Sequence, residues 1–250
     1  MRKPHEMTID RALLVYLLRL AEPYGINGDV KLQQLAFLCE LQMFGKRLKG
    51  FHFEFFRYAY GAFSKDLDND LLSLRRKERI ENFSLSEKAD EAIKLLQESV
   101  EQVDANSQAI EILQAVVGRY GPQDSSEMMK SVEAVELSTP DQPFLKLPIR
   151  DISFHSTLLV PSRIEVESEF TLSSTVLARL NQALGYLFFL KESSRVGQSV
   201  HPGGGRRMKE LVLTEIEAYA EKHSAAESEV CRALREETYR TMEHPPMVVG

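Results

Sequence analysis

Residues 79–89 read Arg79-Ile80-Glu81-Asn82-Phe83-Ser84-Leu85-Ser86-Glu87-Lys88-Ala89. Ile80, Phe83 and Leu85 predict a small two-stranded wing. Ser86 then caps a helix that carries Ala89, Ala92, Ile93, Leu96, Val100 and Val103 at helical spacing. Upstream, Ser64 is the expected N-cap of another helix. Asp66 lies in its first turn and Arg75, Arg76 and Lys77 in its last, an order that favours the helix dipole. Leu67, Leu71 and Leu74 form its buried stripe.

Two further helices precede these. The first spans about Ile9 to Ala21 and is apolar nearly all round, which predicts burial on several sides. Pro23, Gly25 and Asn27-Gly28 make a turn. The second runs from about Val30 to Phe44, with Leu32, Leu35, Ala36, Cys39 and Met43 at helical spacing, and Gly45 ends it. Between the helices, Phe51, Phe53 and Phe55 alternate with His52 and Glu54, so a strand is expected over Gly50 to Tyr58, broken by Gly61. Helix, helix, wing, helix is the winged-helix order.

Downstream, helices are expected over Ser107 to Tyr120 and from Ser125 or Ser126 to about Leu137. Ser138-Thr139-Pro140-Asp141-Gln142-Pro143 reads as a linker. Ile152, Phe154, Leu158 and Val160, then Ile164, Val166, Ser168 and Phe170, alternate on either side of Pro161-Ser162. They predict a β-hairpin with an acidic face of Glu165, Glu167 and Glu169. Helical patterns follow around 177–188, 208–220 and 230–238, with a polar loop over 193–206. The expected architecture is mainly α (α+β). A winged-helix-like domain occupies 1–137, a linker 138–149, and a β-hairpin plus helical C-terminal domain 150–250.

Composition narrows the function classes. Hydrophobic residues make up 43% and charged residues 27% of the 250 residues, ordinary for a globular chain. The net charge of −6 provides no global attraction to nucleic acid or anionic lipid. Residues 1–80 carry a small basic excess and 81–170 are acidic, an asymmetry that suits a charged partner or an internal interface. Cys39 and Cys231 have neither metal-ligand nor redox spacing and read as core residues. The run Ala12–Leu20 is too short to span a bilayer and no secretion signal opens the chain, so a cytoplasmic protein without membrane contact is expected.

Two motifs carry a family resemblance. Lys31-Leu32-Gln33-Gln34-Leu35-Ala36-Phe37-Leu38 looks like a K-L-Q-K-L-x-Y-L helix. Phe55-Phe56-Arg57-Tyr58-Ala59-Tyr60-Gly61-Ala62-Phe63-Ser64-Lys65-Asp66-Leu67 looks like a Y-G-P-Y/F-S-x-x-L turn. With the wing, they make residues 9–120 resemble the YwgA-like and Panacea families, the SocA-like antitoxins among them. The family usually has proline where this chain has Ala62. The resemblance implies association with toxin–antitoxin and phage-related loci of prokaryotes. It also implies direct contact with a protein toxin or a defence-complex subunit.

Candidate sites follow from residue types. Phe56, Tyr58 and Tyr60 lie on the strand face opposite Phe51, Phe53 and Phe55 and are candidate partner contacts, as is the acidic face Glu165, Glu167, Glu169. For DNA, the alternative partner, the basic residues are Arg75, Arg76, Lys77, Arg79, Arg206 and Arg207. Asp66, Asp68 and Asp70 at the start of the would-be recognition helix count against base reading there. The glycine-rich stretch 203–205 lacks the lysine and hydroxyl of a phosphate loop. The six histidines form no HExxH motif, and no nucleophile lies beside a base, so no enzyme activity, cofactor or metal is expected. His52 and His155 read as structural strand residues. The expectation is a non-enzymatic protein-interaction module, with a homodimer left open.

Overall fold

The computed structural model describes residues 2–100, 103–139 and 142–186, which all fall in one compact unit. Seven helices are described: α1 (Pro4–Ala21), α2 (Asp29–Gly45), α3 (Lys65–Arg76), α4 (Glu87–Val100), α5 (Asp104–Tyr120), α6 (Ser125–Glu133) and α7 (Ser174–Ala183). Nine short strands accompany them: β1 (Leu48–Lys49), β2 (Phe55–Tyr58), β3 (Gly61–Phe63), β4 (Ile80–Glu81), β5 (Ser84–Leu85), β6 (Glu136–Thr139), β7 (Gln142–Pro148), β8 (Thr157–Leu159) and β9 (Ser168–Glu169). The protein is mainly helical with small sheets.

Both central helices are buried all round over their middle stretches, which hold polar as well as apolar residues. In α1 every residue from Ala12 to Leu18 is buried, and α2 is buried from Lys31 to Glu40. Helix α1 packs against α4, α5 and α7, while α2 packs against α5, α6 and β3. The aromatic core lies beneath them. Phe51, Phe53, Phe55 and Phe37 are fully buried, with Phe37 edge-on to Phe55 at 5.3 Å and Phe51 stacked on Phe53 at 5.3 Å.

Ser64 caps α3 as expected, its side chain accepting from the Leu67 N–H. The expected two-stranded pairing forms as the hairpin β4–β5, with Ile80 opposite Leu85. Asp124, one residue before the expected serines, caps α6 in a reciprocal capping box with Glu127.

The region after α6 departs from expectation. The stretch expected as a linker, 138–149, contributes to a hairpin of its own, β6–β7. The hairpin expected over 152–170 does not form. Strand β8 pairs antiparallel with β2, and β9 pairs parallel with β1. The 3-10 turn Pro161–Arg163 separates the two strands instead of joining them into one ladder. Charge helps select the partners: Arg47 precedes β1 and Lys49 lies in it, while Glu167 precedes β9 and Glu169 lies in it, and the two pairs meet. Residues 150–186 therefore complete the N-terminal unit, and the boundary placed at 138–149 does not divide the described residues. The helical patterns around 208–220 and 230–238, the 193–206 loop, Arg206, Arg207 and Cys231 lie outside the described residues.

Candidate functional site

The strand expected over Gly50 to Tyr58 starts only at Phe55. The reason leads to the main polar feature of the molecule. The His52 N–H, which a strand would offer to a neighbour, donates instead to Asp10 Oδ1 at 2.9 Å. Asp10 sits fully buried in the apolar helix α1, where an unpaired carboxylate would be costly. It is paired on several sides. His52 Nδ1 lies 2.8 Å from Oδ1, and Arg2 donates to Oδ2 at 2.7 Å.

Arg2 is the hub of this cluster. The same Nη1 donates to Asp70 Oδ2 at 2.7 Å, and the guanidinium lies 5.0 Å from the Phe53 ring. Arg11 Nε donates to the other Asp70 oxygen at 2.7 Å. Burial opposes the Arg2 charge, but Asp10 and Asp70 outweigh it and hold the guanidinium protonated. Asp70 thus faces inward from α3 and does not line the helix surface with Asp66 and Asp68.

The cluster continues through buried His52 to the partly exposed Glu169. The His52 Nε2 lies 3.1 Å from Glu169 Oε1 on β9, and Lys49 Nζ lies 3.2 Å from the same oxygen. Glu6, from the first turn of α1, brings a third group. One ligand atom each from Glu6, His52 and Glu169 falls within 4.8 Å of the others. A cavity of about 50 Å³ adjoins them, lined by Arg2, Glu6, Lys49, His52, Glu54 and the Pro161–Ser162 turn. Burial works against the Glu6 and Glu169 charges, yet both carboxyls lie below their ordinary range. The Lys3 N–H holds Glu6 down, and His52 and Lys49 hold Glu169 down. Five carboxylates, Glu6, Asp10, Asp66, Asp70 and Glu169, face the cations Arg2, Lys3, Arg11 and Lys49, with His52 between Asp10 and Glu169, where burial opposes its protonated form and the two carboxylates favour it.

Glu40 lies nearby on α2, fully buried, with neither carboxyl oxygen hydrogen-bonded among the described residues. Burial first, then the Asp10 charge, push this carboxyl well above the ordinary range, which favours its neutral form. Burial likewise pushes the Cys39 thiol up, which leaves it inert as a nucleophile.

The two motifs that carry the family resemblance meet each other. Gln34 Nε2 donates to the carbonyls of Tyr60 and Ala62 at 3.0 and 2.9 Å, and its Oε1 accepts the Ala62 N–H at 3.1 Å. Gln33 repeats the pattern on Ser64, donating to its carbonyl at 3.1 Å and accepting its N–H at 2.9 Å. Lys31 Nζ donates to the Gly25 and Gly121 carbonyls. Gly61, at φ +98°, passes so close that a Cβ would meet Gln34 Oε1 at 2.5 Å. These residues brace the turn, and Gln33 and Gln34 also line the groove beside it.

An apolar surface lies beyond that turn. Tyr58 and Tyr60 are 47% and 57% exposed, and with Val30, Ala62 and Phe63 they line a shallow groove of about 140 Å³. Phe154 is 61% exposed beside Arg57. On β7, Phe144 is 97% exposed, and Leu145 and Leu147 are exposed too. Exposure at consecutive positions means that neither face of this strand is covered.

The other candidates divide. Phe56 is half-buried in β2, not free on an outer face. Glu167 pairs with Arg47 at 2.6 Å and Glu169 with Lys49 and His52, so two of the three acidic residues expected to meet a partner meet this chain's own basic residues; Glu165 is exposed. Arg75 is engaged with Asp29, the Asn82 carbonyl and the Phe83 ring, and Arg79 with the Ala183 and Lys77 carbonyls. Arg76 and Lys77 are exposed. Neither expected strand histidine lies in a strand: His52 precedes β2, and His155 occupies a left-handed turn edge-on to Tyr58. Among the described residues no helix is long and apolar enough to cross a membrane. Comparison with family models, curated proteins and solved structures returned no match.

Proposed function

We propose that this protein is a non-enzymatic protein-interaction module, of the antitoxin or adaptor kind, built on a winged-helix-like arrangement of α2, α3, the β4–β5 wing and α4. The observation that carries the reading is the exposure, among the described residues, of Tyr58, Tyr60, Phe154 and the β7 residues Phe144, Leu145 and Leu147. Exposed aromatic and aliphatic side chains at this density mark contact surfaces more often than solvent-facing ones. The occupant that fits is a protein with an apolar patch, a toxin or a defence-complex subunit in the antitoxin reading.

The test is co-expression of the full chain with the products of the genes beside its own, followed by size-exclusion chromatography. Co-elution that is lost in Phe144→Ser or Tyr60→Ser, with an unchanged thermal midpoint, supports the reading. Absence of any co-eluting product, or co-elution indifferent to both substitutions, overturns it.

A DNA-binding regulator is the second reading, and Arg76 and Lys77 are its supporting residues, since both are exposed. It requires duplex binding that weakens with salt and falls further when these two are neutralised.

A further inference from the structure

We propose that Glu6, His52 and Glu169 form a site for one divalent transition-metal ion of the zinc class, with Asp10 as the carboxylate that orients the imidazole. The argument starts from hydrogen positions. Both the His52 backbone N–H and ring Nδ1 approach Asp10 Oδ1. Asp10 also accepts from Arg2, so it is an ionised acceptor and Nδ1 must carry a proton. The other ring nitrogen, Nε2, then points at Glu169 Oε1 from 3.1 Å. A lone pair facing a carboxylate oxygen at that distance is repulsive. Either a second proton or a metal ion must lie at Nε2.

Three observations favour the ion. Glu6 converges on the same point, so three ligand atoms from three separated segments lie within 4.8 Å of one another. A lone imidazolium needs only one of those carboxylates. The arrangement carboxylate, imidazole Nδ1–H, metal at Nε2 is the usual way a ligating histidine is held in tautomer and orientation. The adjoining cavity of about 50 Å³ offers room for the waters that complete a coordination shell around three protein ligands. One nitrogen and two carboxylate oxygens suit Zn²⁺ or Mn²⁺ better than the softer copper or the all-oxygen calcium. In the ion's presence Nε2 gives up any proton it carries, and the dication takes that proton's place between Glu6 and Glu169. Lys49 supplies positive charge at Glu169 Oε1 in the metal-free protein, and the ion competes with its ammonium there.

Such an ion would tie α1, the segment before β2, and β9 together, so its binding reads out as stability. The test uses the full chain, stripped with a chelator and titrated with zinc chloride by calorimetry and thermal unfolding. The wild type is expected to bind one Zn²⁺ that raises the thermal midpoint and is lost in Glu6→Gln and Glu169→Gln. Asp10→Asn is expected to weaken it by about 10–100-fold, as loss of an orienting carboxylate does. Glu6→Gln changes a partly exposed side chain, so its fold survives where His52 substitutions endanger it. Co²⁺ in place of Zn²⁺ should give visible absorption bands that vanish in the same variants. No Zn²⁺ binding, with His52 remaining an imidazolium by NMR, overturns the proposal. So does binding of undiminished affinity in Glu6→Gln and Glu169→Gln, which would place the ion elsewhere on the chain.

Discussion

Asp10 Oδ1 accepts twice from His52, from its backbone N–H at 2.9 Å and from ring Nδ1 at 2.8 Å. One carboxylate oxygen thereby fixes the path of the chain and the tautomer of the ring. Asp10→Asn would keep the volume and lose the charge that Arg2 and His52 share. The expected cost is about 3 kcal/mol, in the range for breaking a buried ionic network on one side. Urea unfolding measures it, and a loss below about 1 kcal/mol would show that the cluster relaxes around the amide.

Gln34 makes three hydrogen bonds to backbone groups at the Gly61 turn. Gln34→Ala leaves the buried Ala62 N–H and carbonyl without partners. A destabilisation of about 2–4 kcal/mol follows from the desolvation cost of such groups. The thermal midpoint should fall accordingly, while a substitution at exposed Arg76 should leave it within the noise.

Ala62→Pro places a proline directly after Gly61. Here it is expected to destabilise the chain, because proline has no N–H to give Gln34 Oε1. The expected loss is about 1–3 kcal/mol for the orphaned acceptor. A gain in stability would mean that a rigid turn outweighs the bond.

Glu40 yields a pH prediction with a definite sign. Its folded value lies above the ordinary 4.5, so the folded chain holds a proton there that the unfolded chain releases. Its contribution is most favourable below pH 4.5 and is lost as pH rises toward the folded value. Glu40→Met removes the titrating group with a similar shape in a good helix former. The variant should gain about 1–3 kcal/mol over wild type at pH 7. The gap should shrink toward pH 4.5. Unfolding curves at pH 5, 6 and 7 test it; a gap that widens on acidification contradicts the assignment.

The helices were legible because each carries its own periodicity and end signals, as Ser64 and the Leu67, Leu71, Leu74 stripe illustrate for α3. The β4–β5 hairpin was legible for the same local reason. The hairpin over 152–170 was misread because period-two alternation reveals a strand but not its partner. Thr157–Leu159 and Ser168–Glu169 found strands about a hundred residues away. The charge asymmetry between 1–80 and 81–170 was the available clue. It resolves in pairs such as Arg57 with Glu133, Arg19 with Asp90 and Lys49 with Glu169. The histidine cluster was invisible to spacing, since positions 2, 10, 52, 70 and 169 share no motif. One signal was present: Asp10 and Glu40 are acidic residues set within mostly apolar helical stripes, and a buried charge there demands an explanation.

Gln33 and Gln34 imitate a neighbouring strand, offering amide donors and acceptors to the outer side of β3. That side of the three-stranded sheet is therefore closed to β-augmentation, the addition of a foreign strand through main-chain hydrogen bonds. A visiting polypeptide gains nothing there from its own backbone. Whatever docks near Tyr58 and Tyr60 must be chosen by its side chains, which makes this edge selective by sequence and resistant to indiscriminate fibre growth.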